Sequence, residues 1–151
     1  MYVEGVKEFM TESNKIEREE GLNPNDVKVA LQALDGIETL DRILCFHGQL
    51  TEHLNVEWSG VLRKWDVQVG TYIAPKHNDV PARMDRFIEL LPLMDSWTAH
   101  NSFEIIHPFA DFNGRMGRLI WLSKAINEGY RFGIPFLQMY YYQTLMKEQD
   151  K

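Results

Sequence analysis

Apolar residues recur at intervals of three and four along most of the chain, the spacing that gathers them on one face of an α-helix. The pattern predicts seven helices, at about residues 3–20, 24–34, 40–50, 84–91, 93–106, 113–128 and 135–147. Gly21 and Gly129 stand just after two of them, and Asn23 with Pro24 offers a cap and a first turn for another. We therefore predict a mostly α-helical protein.

The stretch 65–81 departs from helical spacing and predicts a short β-hairpin. Two valines alternate with polar residues, a glycine can turn the chain, and the residues after it favour extended backbone. An isolated two-stranded hairpin is marginal in water, so we expect it to pack on the helices or to close over a site as a flap. The residues that define this flap are Val67, Val69, Gly70, Thr71 and Tyr72.

Composition places the chain among soluble globular proteins. It has 151 residues, 44% hydrophobic and 25% charged, with a formal net charge of −6 and no linker-like segment, so we expect one domain over residues 1–151. A nucleic-acid partner is not expected because there is no basic stripe, nor a membrane partner because no apolar run approaches about 20 residues. Without a signal-peptide pattern and with Cys45 as the single cysteine, we expect a cytoplasmic protein with a core thiol.

Residues 107–118, HPFADFNGRMGR, contain the elements of a phosphate site. A helix is predicted to begin at Asn113-Gly114-Arg115. Helix N-termini hold phosphates through unpaired backbone N–H groups, particularly where a glycine permits close approach. Arg115 and Arg118 are three residues apart on one face of this helix and supply two guanidinium forks for further phosphate oxygens.

Two more residues of this stretch suit the same chemistry. Asp111 can hold Mg²⁺, which usually binds proteins through one or two carboxylates plus substrate phosphates. His107 precedes a proline, which ends the helix before it, and an imidazole has an ordinary pKa suited to a general base. Each residue alone is more often a helix cap, a surface charge or a structural histidine. Their joint occurrence indicates phosphate chemistry.

HPFADFNGRMGR resembles the signature of the Fic family, HPFx(D/E)GNGRxxR, and matches eight of its nine specified positions. WTAHNSFEIIHPF, at residues 97–109, resembles the family's preceding helix, and residues 60–84 resemble its flap and the helix that follows. The resemblance covers most of the chain from about residue 27 to 122. It implies a helical bundle with a β-hairpin flap beside the active-site loop.

The resemblance also implies an activity: protein adenylyltransfer, in which AMP passes from ATP to a Ser, Thr or Tyr hydroxyl of a target protein. Position by position, His107 would be the base, Asp111 the Mg²⁺ ligand, Asn113 with the Gly114 backbone the anion hole, and Arg115 with Arg118 the β- and γ-phosphate ligands. The flap would pin the target's backbone by adding a strand to it. ATP, Mg²⁺ and a hydroxyl-bearing protein are thus the expected partners, and a homodimer is left open.

Glu17 is a charged residue on an apolar helix face. Val3, Val6, Met10 and Ser13 fall on the same stripe of the first helix, and an ionised carboxylate there needs a partner. One explanation is that Glu17 lies at the end of the helix, where its carboxylate reaches solvent. The other is that Ser13 to Glu17 resembles the inhibitory pattern (S/T)xxxE(G/N) of Fic proteins, with Arg18 in place of Gly or Asn. In that case residues 1–21 form an inhibitory helix packed on the core, and Glu17 competes with ATP for Arg118.

Phe112 stands where the Fic signature has glycine. A positive φ at this position would strain a phenylalanine, whereas a negative φ would let the ring pack aside while the N–H still faces the phosphates. We count Phe112 with the nucleotide-binding residues. Because of this departure, two alternatives stay open. One is a different group transfer on the same fold, such as phosphorylation or transfer of another nucleotide. The other is a catalytically weak module that binds nucleotide or protein.

Overall fold

The structure is a computed structural model that describes residues 2–132. Within this range it contains six helices and one antiparallel hairpin, which confirms the predicted mostly helical fold with a short β-hairpin. The helices are α1 (Val3–Ile16), α2 (Pro24–Ala33), α3 (Leu40–Thr51), α4 (Val80–Leu90), α5 (Ser96–Ile106) and α6 (Asn113–Ala125); the strands are β1 (Gln68–Val69) and β2 (Tyr72–Ile73). In the hairpin Gln68 pairs with Ile73 and Val69 with Tyr72, and Gly70 turns the chain with φ +61°.

The central element is α6, which is buried along almost its whole length. It packs against α5, α1, α2 and α3, as a helix that is buried on all sides requires. The loop 107–112 joins the C-terminal end of α5 to the N-terminal end of α6. Asn113, Gly114, Arg115 and Arg118, which are predicted to bind phosphate, therefore lie on a helix that four other helices surround.

Four helix ends differ from the prediction by three or more residues because local caps decide where a helix ends, and hydrophobic spacing does not report them. The fourth helix begins at Val80 instead of residue 84. The first helix ends at Ile16 instead of residue 20, since Arg18 adopts left-handed backbone with φ 60°. The fifth begins at Ser96 instead of residue 93, since the Asp95 carboxylate accepts from the Thr98 N–H at 2.7 Å. The sixth ends at Ala125 instead of residue 128. The helix predicted at 135–147 lies outside the described residues.

The apolar stripe of α1 is not buried at its first residue, and the prediction of a core thiol at Cys45 was wrong. Val3 is 42% exposed, although Val6, Met10 and Ser13 of the same stripe are buried. Cys45 is exposed, because the buried face of α3 is formed by Ile43, Phe46, His47 and Leu50 and a residue two positions after Ile43 points away from that face. In the part of the chain that the structure describes, no helix combines the length and hydropathy needed to cross a bilayer.

Candidate active site

The loop between α5 and α6 is held from inside by the side chain of Asn113. Its Oδ1 accepts the Phe109 N–H at 2.8 Å and its Nδ2 donates to the Phe109 carbonyl at 2.9 Å. Asn113 is 2% exposed and Phe109 is fully buried. The Asn113 side chain therefore shapes the loop, and only its backbone N–H is left to face an anion.

His47, on the buried face of α3, is the second support of this loop. Its ring stacks on Phe109 with centroids 3.7 Å apart. The Gly60 N–H donates to Nδ1 at 2.9 Å, so Nε2 carries the hydrogen and donates to the Asp111 carbonyl at 3.0 Å. Burial lowers the pKa of His47 to about 4, which keeps the ring in this neutral form.

His107 follows α5 directly, in left-handed backbone with φ 51°. Burial and, to a smaller extent, the positive charge of Arg63 lower the pKa of its imidazole to about 4, against the opposing charges of Asp111 and Glu17. The imidazole is therefore neutral at neutral pH, which is the form that can accept a proton.

The structure brings Ser13, Glu17 and Arg118 together. Arg118, 2% exposed, donates from Nε to the Ser13 hydroxyl at 2.7 Å and from Nη2 to the Ser13 carbonyl at 3.1 Å and Glu17 Oε1 at 2.8 Å. A Cβ on Gly114 would lie 2.6 Å from Glu17 Oε1, so the absence of a side chain there admits the carboxylate. The chain thus places its own anion at the N-terminal end of α6.

The N-terminal end of α6 also has unused backbone donors. The first bond of the helix runs from the Met116 N–H to the Phe112 carbonyl at 3.0 Å. The N–H groups of Asn113, Gly114 and Arg115 come before it and have no partner within the helix. Together with the positive end of the helix dipole, they make this place favourable for negative charge.

A second carboxyl, that of Glu104 on α5, lies beside Arg118 on its interior side. A Cβ on Gly117 would overlap Glu104 Oε1, so this glycine makes room for the side chain. Burial raises the pKa of Glu104 to about 8, and the charge of Arg118 opposes that rise. Arg118 makes an ion pair with Glu17 at 2.8 Å.

Arg115 makes an ion pair that the sequence did not reveal. Its Nη1 donates to Glu19 Oε2 at 2.8 Å, and the guanidinium lies over the Phe112 ring at 3.4 Å from the centroid. The Arg115 side chain is 6% exposed and that of Glu19 is 46% exposed. Glu19 is exposed and lies beyond the helical stripe of α1, so neither spacing nor polarity singled it out. Both arginines of the site are thus paired with acids from one short segment.

The backbone and the ring of Phe112 each follow a different one of the two conformations considered for this residue. Its φ is 67°, and its ring nevertheless packs aside, 5% exposed, against His47, Trp58 and Arg115. With this positive φ the Phe112 N–H donates to Asp111 Oδ1 at 2.7 Å, and a role of Phe112 in nucleotide binding stays a prediction.

Asp111 suits a cation that arrives on a substrate. Its side chain is exposed, and Oδ1 accepts one backbone hydrogen bond, which leaves carboxylate lone pairs for a metal. Among the described residues no group of three or more His, Cys, Asp or Glu could form a metal site by itself. One exposed carboxylate fits Mg²⁺ bound mainly by phosphates, and Asp111 is the residue that would hold it.

The flap lies against the C-terminal end of α5. The Tyr72 hydroxyl donates to the Ile105 carbonyl at 2.6 Å. Val69 belongs to β1 and Tyr72 to β2, whereas Gly70 and Thr71 form the turn. Val67 precedes β1, and its carbonyl accepts the Ala74 N–H at 3.3 Å. The short strands and their exposed side chains leave backbone edges that a further strand can pair with.

The sequence model of the Fic/DOC family matches residues 37–122, more than half of the chain. The chain belongs to the Fic/DOC family. Among curated relatives, the proteins named protein adenylyltransferase Fic of Culex quinquefasciatus and Drosophila mojavensis are 32% and 33% identical to it over an alignment of 101 residues. Each match covers 61% of this chain and 20% of the relative. The chain therefore spans about one fifth of the length of these relatives.

Two solved structures resemble this Fic chain. A Fic family protein from Desulfovibrio desulfuricans G20 is 25% identical with a TM-score of 0.58, covering 84% of this chain and 47% of that one. Fic-1 from C. elegans, 21% identical with a TM-score of 0.59, covers 85% of this chain and 45% of that one and supports the fold alone. The match to the Fic signature on residues 107–118 thus coincides with a match in fold.

Proposed function

We propose that this Fic protein is a protein adenylyltransferase that transfers AMP from ATP to a Ser, Thr or Tyr hydroxyl of a target protein. The observation that carries the proposal is the Glu17 carboxylate on Arg118 above Gly114. A carboxylate of the chain itself in this place is evidence that the site favours negatively charged groups. The names of the relatives, protein adenylyltransferase Fic, support this choice of reaction.

The proposed reaction assigns one task to each residue of the loop and helix. The target hydroxyl would attack the α-phosphorus, its proton would pass to the neutral imidazole of His107, and the bond to the β-phosphate would break to release pyrophosphate. Arg115 and Arg118 would bind the β- and γ-phosphates, with the backbone at Gly114 as part of the anion hole. Mg²⁺, held by Asp111, would neutralise part of the phosphate charge.

We further propose that residues 1–21 inhibit this reaction. In the structure both arginines are occupied by carboxylates, Arg118 by Glu17 and Arg115 by Glu19. ATP phosphates would have to displace both of them. The Glu17 side chain is 35% exposed and that of Glu19 is 46% exposed, and Ser13 adds two hydrogen bonds to Arg118. Glu17 therefore contributes the larger part of the inhibition.

Glu17→Gly tests both proposals. We expect it to raise incorporation of label from α-labelled ATP by roughly tenfold or more, since a charge-assisted bond is worth about 1.5–3 kcal/mol. The measurement is label and intact mass of the protein itself, and of added candidate proteins, in the presence of Mg²⁺. Glu20→Gly is the matched control, because Glu20 is exposed and follows the same helix. His107→Ala in the Glu17→Gly background should abolish the incorporation.

The mass gain decides among the alternatives. A gain of one AMP supports adenylyltransfer, whereas a gain of one phosphate would show a kinase of the same fold. Equal incorporation by Glu17→Gly and Glu20→Gly would contradict the inhibition by Glu17. No gain in any variant, with ATP binding retained in calorimetry, would identify a nucleotide-binding module.

A further inference from the structure

Arg63 lies buried, 3% exposed, between the flap and the C-terminal end of α5. Its Nε donates to the His107 carbonyl at 2.7 Å, and Nη2 donates to the Ile106 carbonyl at 3.2 Å. On the other side Nη1 donates to the Trp65 carbonyl at 3.0 Å and Nη2 to the Pro75 carbonyl at 2.6 Å. One guanidinium therefore joins the start of the flap, the end of the flap and the histidine.

The bonding pattern explains why an arginine is needed here. Each of the four acceptors is a backbone carbonyl, and two of them belong to the end of α5, where carbonyls lack helical partners and the helix dipole favours a cation. A planar fork with five N–H groups can reach four acceptors in two directions, whereas a lysine ammonium has three donors at one point. The backbone N–H of Arg63 adds a bond to the Pro108 carbonyl at 2.9 Å.

These bonds hold the flap and the backbone at His107, neither of which is fixed by its own local structure. Trp65 and Pro75 flank a hairpin of two-residue strands, which is too short to be rigid alone. His107 has left-handed backbone before a proline, a conformation that persists only when neighbours hold it. Arg63 donates hydrogen bonds to both, so the position of the flap relative to the His107 imidazole depends on Arg63.

We propose that Arg63 is a positioning residue that fixes the flap and His107 relative to each other, so that a hydroxyl presented by the flap meets the imidazole. The proposal rests on the proposed adenylyltransfer for its catalytic consequence, but its structural part can be measured without any activity. The nucleotide side of the site does not depend on Arg63, because Arg115 and Arg118 are held by α6 and by contacts with Ser13, Glu17 and Glu19.

The test uses Arg63→Lys in the Glu17→Gly background, with Arg42→Lys as matched control. Arg42 also binds backbone carbonyls through its guanidinium, those of Gly36 at 2.8 Å and Gln32 at 2.9 Å, but it lies outside the site. Amide hydrogen exchange is measured for residues 67–74, 107–110 and, as a reference, 24–33. Steady-state rates against ATP and against target protein are measured for the same variants.

We expect Arg63→Lys to accelerate exchange in residues 67–74 and 107–110 by about tenfold, with residues 24–33 unchanged. We expect kcat to fall by about tenfold and KM for the target to rise, with KM for ATP within about twofold. Arg42→Lys should change neither the exchange in residues 67–74 and 107–110 nor the kinetic constants, although it removes a bond to the Gln32 carbonyl within the reference segment. Unchanged flap exchange in Arg63→Lys, or an equal increase in Arg42→Lys, would overturn the proposal, as would a rise in KM for ATP with kcat unchanged.

Tyr72→Phe gives a second test that does not disturb a buried charge. It removes the hydroxyl bond to the Ile105 carbonyl, the other tie between flap and α5. We expect a smaller change in the same direction: faster exchange in residues 67–74, lower kcat and the same KM for ATP. A rise in kcat would contradict positioning by the flap. If Glu17→Gly with Arg63 intact shows no transfer at all, the proposed function fails, and the exchange data still decide whether Arg63 holds the flap.

Discussion

At the scale of single residues, Phe112 makes two opposite contributions to the free energy of folding. Its positive φ costs an L-residue roughly 1–2 kcal/mol, which a glycine would not pay. Its ring is 5% exposed and packs against His47, Trp58 and Arg115, and loss of a buried phenylalanine ring usually costs about 3–5 kcal/mol. The packing term is larger, which explains how a phenylalanine can occupy a position with left-handed backbone.

Replacement of Phe112 by glycine is therefore expected to destabilise the protein, even though it restores the residue of the Fic signature. The difference of the two terms predicts a loss of roughly 1–4 kcal/mol in the free energy of unfolding. Urea denaturation measures it. Asn55→Gly is the control, since Asn55 has φ 52° but is exposed, so its free energy should change by less than about 0.5 kcal/mol. A gain in stability for Phe112→Gly would show that backbone strain outweighs the packing of the ring.

At the scale of elements, the turn after α1 determines which acids reach α6. The Arg18 N–H donates to the Lys15 carbonyl and the Glu19 N–H to the Asn14 carbonyl, both at 2.9 Å, with Arg18 in left-handed backbone. This is the Schellman arrangement, which favours glycine or asparagine at the left-handed position. It gives a physical reason for Gly or Asn after the glutamate in the inhibitory pattern, and it sends Glu19 back toward Arg115.

Arg18→Gly should relieve the strain of this turn. We expect a gain of about 1 kcal/mol in the free energy of unfolding and a lower basal incorporation of label, because the docked segment is stabilised. Thermal denaturation and the labelling assay measure the two effects. Arg18→Ala keeps the Cβ while removing the charge, so it should leave stability near that of the unmodified chain. The same gain in Arg18→Ala and Arg18→Gly would assign the effect to charge instead of backbone conformation.

The elements themselves were largely predictable, and the reasons for the exceptions are physical. Helical spacing located the six described helices, and the glycine at position 70 located the hairpin, because both signals are local. Helix ends depend on single caps such as Asp95, so they were displaced by three or four residues. His47, Arg63 and Glu19 could not be recognised, since each acts through a contact with a segment far away in the sequence.

At the scale of the whole molecule, the N-terminal segment of the chain contacts α6 on the side where phosphates would bind. Two ion pairs make this contact, and they join residues that are 96 and 101 positions apart. Each pair contributes to the free-energy difference between a docked and an undocked segment. The free-energy contributions of the two pairs add. As long as the undocked form is the minor one, the factors by which loss of each pair raises the fraction of open sites therefore multiply.

Glu19→Gln tests this additive arrangement. The Glu19 side chain is 46% exposed, so its pair with Arg115 is worth at most about 1 kcal/mol, and its loss should raise label incorporation by roughly two- to fivefold. The same factor should appear on top of Glu17→Gly, unless that variant is already fully open. Glu20→Gln, beside it in the chain and exposed, is the control. If Glu19→Gln matches Glu20→Gln in both backgrounds, the Glu19 pair follows the docking of α1 without contributing to it, and Glu17 alone holds the site closed.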